Sequence, residues 1–309
     1  MMLRSVKILL IAFALFTLHA CKDNKANEIP ISDFFKSAGK SNFKISPDGK
    51  YLSYVKPNKE KQSLFIESLT DGKEQLVSSL NNYSIRDYSW TFDNQIIFFS
   101  QDPFVDKHSM FVFDVANSKL KNLLTENKVR MRLLSRSRIS PDMVTITMNK
   151  RDSANFDVYN INIKTGELRP YLVNPGNIKE WFPDVDGKIR LAKKSDGVDE
   201  SILYRPNDNA QFKEIIKNNF KNSVKPVAFT GVKNYFYALS NVNRDKSALV
   251  EINAENGKEE KVVFLSDKAD IQRIEYSKNK HRIDFASWEE AKPQKHFLNK
   301  DAEHIYDNL

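Results

Sequence analysis

The sequence predicts an all-β fold, a β-propeller of about six four-stranded blades, closed or incomplete. Three observations predict it. From Ser41 onward, short apolar runs with β-type alternation are separated by turn residues. A first turn recurs at Gly49, Asn94, Met143, Gly187, Asn234 and Asn279, in steps of 45, 49, 44, 47 and 45 residues. A second recurs at Gly72, Ser118, Gly166, Asn209 and Gly257, in steps of 46, 48, 43 and 48. Two turn series of equal period, offset by half of it, mark a four-stranded unit that repeats. Composition agrees: 35 aromatics supply core material, and the 9 Gly are supplemented by 29 Asn, the other residue that tolerates left-handed turns.

The chain begins with Arg4 and Lys7, and residues 8–18 are almost continuously apolar. This is the layout of a secretory signal, too short for the ~20 residues that span a bilayer. Leu18-His19-Ala20-Cys21 resembles the lipobox of bacterial lipoproteins, which places cleavage between Ala20 and Cys21 and lipid on Cys21, the sole cysteine. Residues 1–20 are therefore expected to be signal peptide, 21–29 a polar tether, and the body extracytoplasmic, held in the periplasm or at the outer membrane. One cysteine also excludes an internal disulfide and a Cys-based zinc site.

Residues 30–42 are expected to form a short helical lead-in around Ser32-Asp33-Phe34-Phe35. Blade one opens as strand, Ser46-Pro-Asp-Gly49 turn, strand; Pro47 presets φ and Gly49 takes the strained position. The blades are expected at 43–80, 87–126, 134–173, 178–217, 226–265 and 270–298, so the propeller occupies 43–298. Trp90, Trp181 and Trp288 fall in three blades and are read as packing between them. Residues 299–309 form a C-terminal stub more helical than extended.

Ile29-Pro-Ile-Ser-Asp-Phe-Phe35 with Ile45-Ser-Pro-Asp-Gly-Lys-Tyr51 resembles the start of bacterial prolyl oligopeptidase-family serine peptidases, of the acylaminoacyl- and dipeptidyl-peptidase type. Further matching segments are Met148-Asn-Lys-Arg-Asp152, Asp157-Val-Tyr-Asn160, Lys164-Thr-Gly-Glu167, Asn174-Pro-Gly-Asn-Ile178 and 181–192. Leu203-Tyr-Arg-Pro206 and His296-Phe-Leu-Asn-Lys300 complete the match. The resemblance implies a propeller that limits access of peptides to an α/β-hydrolase domain with a Gly-x-Ser-x-Gly nucleophile. No two glycines here are four residues apart, so that motif is absent from these 309 residues. The family's seven or eight blades also exceed the six repeats.

No cofactor or metal is expected. His108, His281, His296 and His304 accompany no nucleophile turn and no His-x-x-x-His spacing, and Asp184-x-Asp186-Gly187 reads as a blade turn. Glu289-Glu290 is a weak substrate-contact candidate, because the resemblance implies paired propeller glutamates that hold a peptide's amino terminus. In the basic run Lys128-Val-Arg-Met-Arg132, continued by Arg136 and Arg138, alternation puts Arg130 and Arg132 on one face. The net charge of +8 falls to +6 after signal removal and, without a recognition module, does not predict nucleic-acid binding. The expected function is the non-catalytic, substrate-gating propeller of a serine exopeptidase, truncated before its catalytic domain and inactive alone. The expected partners are peptides, a hydrolase domain supplied in trans, and a membrane through the lipid at Cys21. The alternative is a free-standing, lipid-anchored propeller that binds a protein, peptide or glycan at the cell envelope.

Overall fold

Six antiparallel sheets follow one another along the chain in a computed structural model that describes residues 30–34, 39–59, 61–77, 84–102 and 104–308. The signal, the Ala20–Cys21 cleavage site and the tether lie outside the described residues, as do Phe35 and Leu309. Met1–Gly39 and Lys40–Leu309 are separate units. In the first, α1 (Ile31–Phe34) is a single helical turn.

In the second unit, blade one is β1 (Ser41–Ile45), β2 (Tyr51–Asn58), β3 (Lys61–Ser68) and β4 (Glu74–Leu76). Blade two is β5 (Ser84–Trp90), β6 (Gln95–Asp102), β7 (Lys107–Asp114) and β8 (Lys119–Asn127). Blade three is β9 (Met131–Arg136), β10 (Met143–Met148), β11 (Asp157–Asn162) and β12 (Leu168–Leu172). Blade four is β13 (Ile178–Pro183), β14 (Ile189–Ser195), β15 (Glu200–Tyr204) and β16 (Lys213–Asn218). Blade five is β17 (Val224–Phe229), β18 (Tyr235–Ser240), β19 (Ala248–Asn253) and β20 (Glu259–Phe264). Blade six shows three strands among the described residues, β21 (Arg273–Ser277), β22 (Arg282–Glu289) and β23 (Pro293–Phe297), and then α2 (Lys300–Asp307). The chain is thus a six-bladed propeller, with a three-stranded last sheet where the repeat predicts four.

The turns use the residues that the repeat singled out. Asn94, Asn234 and Ser118 adopt left-handed conformations at φ 61°, 64° and 51°. Met143, which opens β10, and Asn209 have no positive φ, and in blade six the left-handed residue is His281, two positions beyond the expected Asn279.

Alternation gives each blade two apolar faces, and neighbouring blades bury them against each other. Between blades one and two lie Leu64, Ile66, Trp90, Phe98 and Phe111. Between two and three lie Ile97, Met110, Met131, Ile146 and Met148. Trp181 packs with Val158 and Ile189 between three and four. Ile202, Val224, Phe236 and Val250 fill the next interface, and Leu249, Ile271, Ile283 and Trp288 the one after it. All three tryptophans therefore sit at blade interfaces, as expected. The face of blade six turned away from blade five is covered by α2, with Tyr306 5.3 Å from both Phe285 and Phe297 between ring centroids.

Two segments that carry the family resemblance are structural ties. Buried Asp157 accepts two hydrogen bonds from Arg151 at 2.8 and 3.0 Å and one from the Asn174 amide at 2.7 Å. Buried Arg205 donates to the Ile189 carbonyl at 2.9 Å and to Asp208 at 3.1 Å.

Close blade packing fixes two glycines. A Cβ on Gly187 would lie 2.9 Å from the Arg136 carbonyl oxygen, and one on Gly257 would collide with the Ile215 carbonyl. Both positions also have positive φ, 83° and 71°. Gly257→Ala is therefore expected to destabilise the propeller by about 3 kcal/mol, combining overpacking with a left-handed alanine. Chemical denaturation would show it as a lower midpoint, and an unchanged midpoint would contradict the close approach.

Candidate functional site

The first strand of every blade pairs with the second through a register shift, in blades one to six alike. Such bulges tighten the twist and re-aim side chains at the end of a strand. The six first strands and the turns after them line one cavity of about 650 Å³, the channel of the propeller at its first-turn end. Its wall is part apolar, with Phe92, Phe182, Val227, Phe229 and Ile274, and part charged.

Four cations face this space: Lys44, Arg136, Arg138 and Lys278. Lys44 donates to the Tyr88 carbonyl and lies 3.6 Å from Asp87. Arg136 donates to the Trp90 carbonyl, and its guanidinium stands 5.1 Å from the centre of the Phe92 ring. Arg138 lies 4.7 Å from the same ring and donates to Asn279 Oδ1 at 2.7 Å, joining blade three to blade six. Burial in the wall pushes the Arg136 guanidinium and the Lys44 and Lys278 ammoniums below their usual values. The like charges of Arg136 and Lys44 lower Lys278 further. Lys278 reaches solvent inside the channel, yet protein surrounds it closely enough to remove much of its hydration.

Three carboxylates share the wall, Asp87, Asp184 and Glu275. Asp87 is taken by Lys44, and Asp184 lies 3.3 Å from Arg190. Burial raises the Asp184 carboxyl, although it accepts the amides of Asp186 at 3.0 Å and Lys188 at 2.8 Å. The Asp184–Gly187 segment is thus a blade turn. Among the described residues, Arg136, Arg138 and Lys278 have no carboxylate within ion-pair distance.

The residues singled out in the sequence are dispersed. Glu289 ends β22 and Glu290 lies in the turn to β23; neither lines the channel. Glu290 accepts from Trp288 Nε1 at 2.8 Å and pairs with Lys268 at 3.7 Å. His108 is 3.0 Å from Asp106, His296 stacks on Phe264 at 4.1 Å, and His304 lies on α2. His281 is in the channel wall, its Nδ1 3.3 Å from the Tyr276 hydroxyl. Arg130 and Arg132 do share a face, both over the Phe156 ring at 5.3 and 5.0 Å. Among the described residues, no three His, Cys, Asp or Glu side chains group as metal ligands would.

No family model matches the chain. Over 265 residues, 80% of its length, it is 25% identical to dipeptidyl peptidase family member 6 of Caenorhabditis elegans. Over 242 residues, 77% of its length, it is 23% identical to dipeptidyl aminopeptidase BIII of Pseudoxanthomonas mexicana. The chain is thus similar in sequence to dipeptidyl peptidases. It spans about a third of the two relatives' length, 36% and 35%. The fold matches Porphyromonas gingivalis dipeptidyl peptidase 4 with a TM-score of 0.63, at 14% identity over 86% of this chain and 45% of that one. It matches the β-propeller domain of the Trilobed protease from Pyrococcus furiosus with a TM-score of 0.56, at 13% identity over 84% of this chain and 78% of that one.

The cation cluster carries a stability cost with a defined sign. A lysine whose folded-state pKa lies below its unfolded value destabilises the fold while protonated, and the penalty is relieved as pH climbs from the folded toward the unfolded value. The penalty at Lys278 is therefore largest on the acid side of its folded-state value. Lys278→Gln is expected to raise the melting temperature by about 2 °C at low salt and by less at high salt, where repulsion is screened. A lowered melting temperature would mean that the ammonium is held by a partner.

Proposed function

We propose that this propeller is the non-catalytic, substrate-gating portion of an extracytoplasmic serine exopeptidase of the prolyl oligopeptidase type. The observation that carries the reading is the 25% identity over 265 residues to a dipeptidyl peptidase family member, confined to about a third of that protein. A propeller fits the task because a channel ringed by rigid sheets admits extended peptides and excludes folded proteins. The hydrolase itself is supplied by further sequence of the same protein or by a partner chain, since these 309 residues contain no Gly-x-Ser-x-Gly. Supporting the extracytoplasmic assignment is the Leu18-His19-Ala20-Cys21 lipobox, which would tether the domain by lipid on Cys21. Glu289 and Glu290 remain proposed contacts for a peptide amino terminus, on the family resemblance alone.

Pure protein of this sequence is expected to leave aminoacyl and dipeptidyl p-nitroanilides uncleaved and to resist labelling by a serine-reactive fluorophosphonate. Cleavage or labelling would overturn the non-catalytic reading. Reading the DNA past the Leu309 codon for a Gly-x-Ser-x-Gly frame tests where the hydrolase resides. For the anchor, whole-cell expression is expected to give a membrane-bound form whose mass carries added acyl chains, and Cys21→Ser a form that lacks them. An unmodified mass for the native sequence would refute lipidation.

A further inference from the structure

We propose that the first-turn end of the channel binds an acidic peptide, its carboxylates held by Arg136, Arg138 and Lys278. The proposal rests on the channel wall alone and stands whether or not the propeller serves a peptidase. Blades three and six deliver these three cations to one 650 Å³ space, and Lys44 of blade one adds a fourth. Folding half-buries Arg136 and Lys44 in the wall and places them, with the solvent-reaching Lys278, within one another's fields. An incoming carboxylate gains from that arrangement, because cations in a concave wall of low dielectric focus their field on the space before them.

The carboxylates of the wall do not neutralise the cluster. Asp87 is paired with Lys44, although its charge also reaches Lys278, and Asp184 is paired with Arg190, so the three cations keep a positive surplus beside Glu275. The arginines are also preorganised. Arg136 is fixed by the Trp90 carbonyl and Arg138 by Asn279, and both guanidinium carbons lie over the Phe92 ring. A guanidinium held in plane offers paired N–H donors matched to a carboxylate.

The rest of the wall decides what kind of anion fits. Phe182, Val227, Phe229 and Ile274 present apolar surface beside the charges. A small inorganic anion would leave that surface wet, whereas a peptide with acidic and aromatic side chains in alternation covers both. The extended form of such a peptide matches a bore lined by strand ends, since its successive side chains point to opposite sides.

Calorimetric titration of the full chain tests this with acetyl-Phe-Glu-Phe-Glu amide, with acetyl-Phe-Gln-Phe-Gln amide, and with inorganic phosphate. The acidic peptide is expected to bind about tenfold or more tighter than its glutamine counterpart and to weaken steeply with salt. Arg138→Gln and Lys278→Gln, both at solvent-reaching positions, should each weaken it by about fivefold or more, with melting curves showing an intact fold. Arg136→Lys, which keeps the charge and loses the fork, should retain part of the affinity. Equal affinity for the two peptides, absence of binding by either, or unchanged affinity in both glutamine variants would overturn the proposal. Phosphate binding without peptide binding would overturn it too, and would mark the cluster as a site for free anions.

Discussion

A blade of this protein is a sheet with two apolar faces, and most of that surface is hidden only when another blade stands beside it. The remaining features follow from this mutual burial. It draws the sheets together until the carbonyl backbone of one approaches the turn of the next, which is why Gly187 and Gly257 accept no side chain. It also explains the placement of the tryptophans, whose large rings fill the wedge between diverging sheets. At blade six the same demand is met by another element: α2 sets Tyr306 against Phe285 and Phe297, where a sheet would otherwise be needed.

Radial packing has a cost at the centre. Six first strands converge there, and their ends hold polar and charged groups that cannot all find partners in a confined space. In this chain the surplus is positive. Lys44 has an aspartate and Arg190 takes another, while Arg136 and Arg138 rely on a carbonyl, an amide oxygen and a ring face, and Lys278 lies in the field of Arg136 and Lys44. Electrostatic stress of this kind is a common mark of a surface shaped for a ligand, since stability alone would favour its removal.

Much of the architecture was legible because it is written locally. Turn residues at fixed spacing, such as Gly49, Asn94, Gly187 and Asn234, adopt the strained conformations that their chemistry allows, and the repeat follows from them. The strand bulges were not legible, because an extra residue in one strand leaves no compositional trace. Nor was the channel cluster. Lys44, Arg136 and Lys278 lie far apart in the sequence, and only the circular arrangement brings them together. Arg136 and Arg138 were visible as part of a basic run, but that run divides in the fold: Arg130 and Arg132 turn to Phe156, and their neighbours turn inward. Aligning the repeats on the residues just before each first turn is the signal that could have found the cluster. Glu289 and Glu290 drew notice as an adjacent pair, yet the fold gives Glu290 to Trp288 and Lys268 at the far end of β22.

The hydrogen bond from Arg138 to Asn279 joins side chains 141 residues apart, on blades three steps removed from each other. It acts across the propeller, whereas the apolar packing between blades acts around the circumference. It is a cross-tie. It holds the Arg138 side chain in place and links two distant walls of the channel. The bond is solvent-reaching and worth about 1 kcal/mol, so it adds little to the stability of the fold. Its effect is positional: the side chain of one blade is oriented by a residue of the blade opposite.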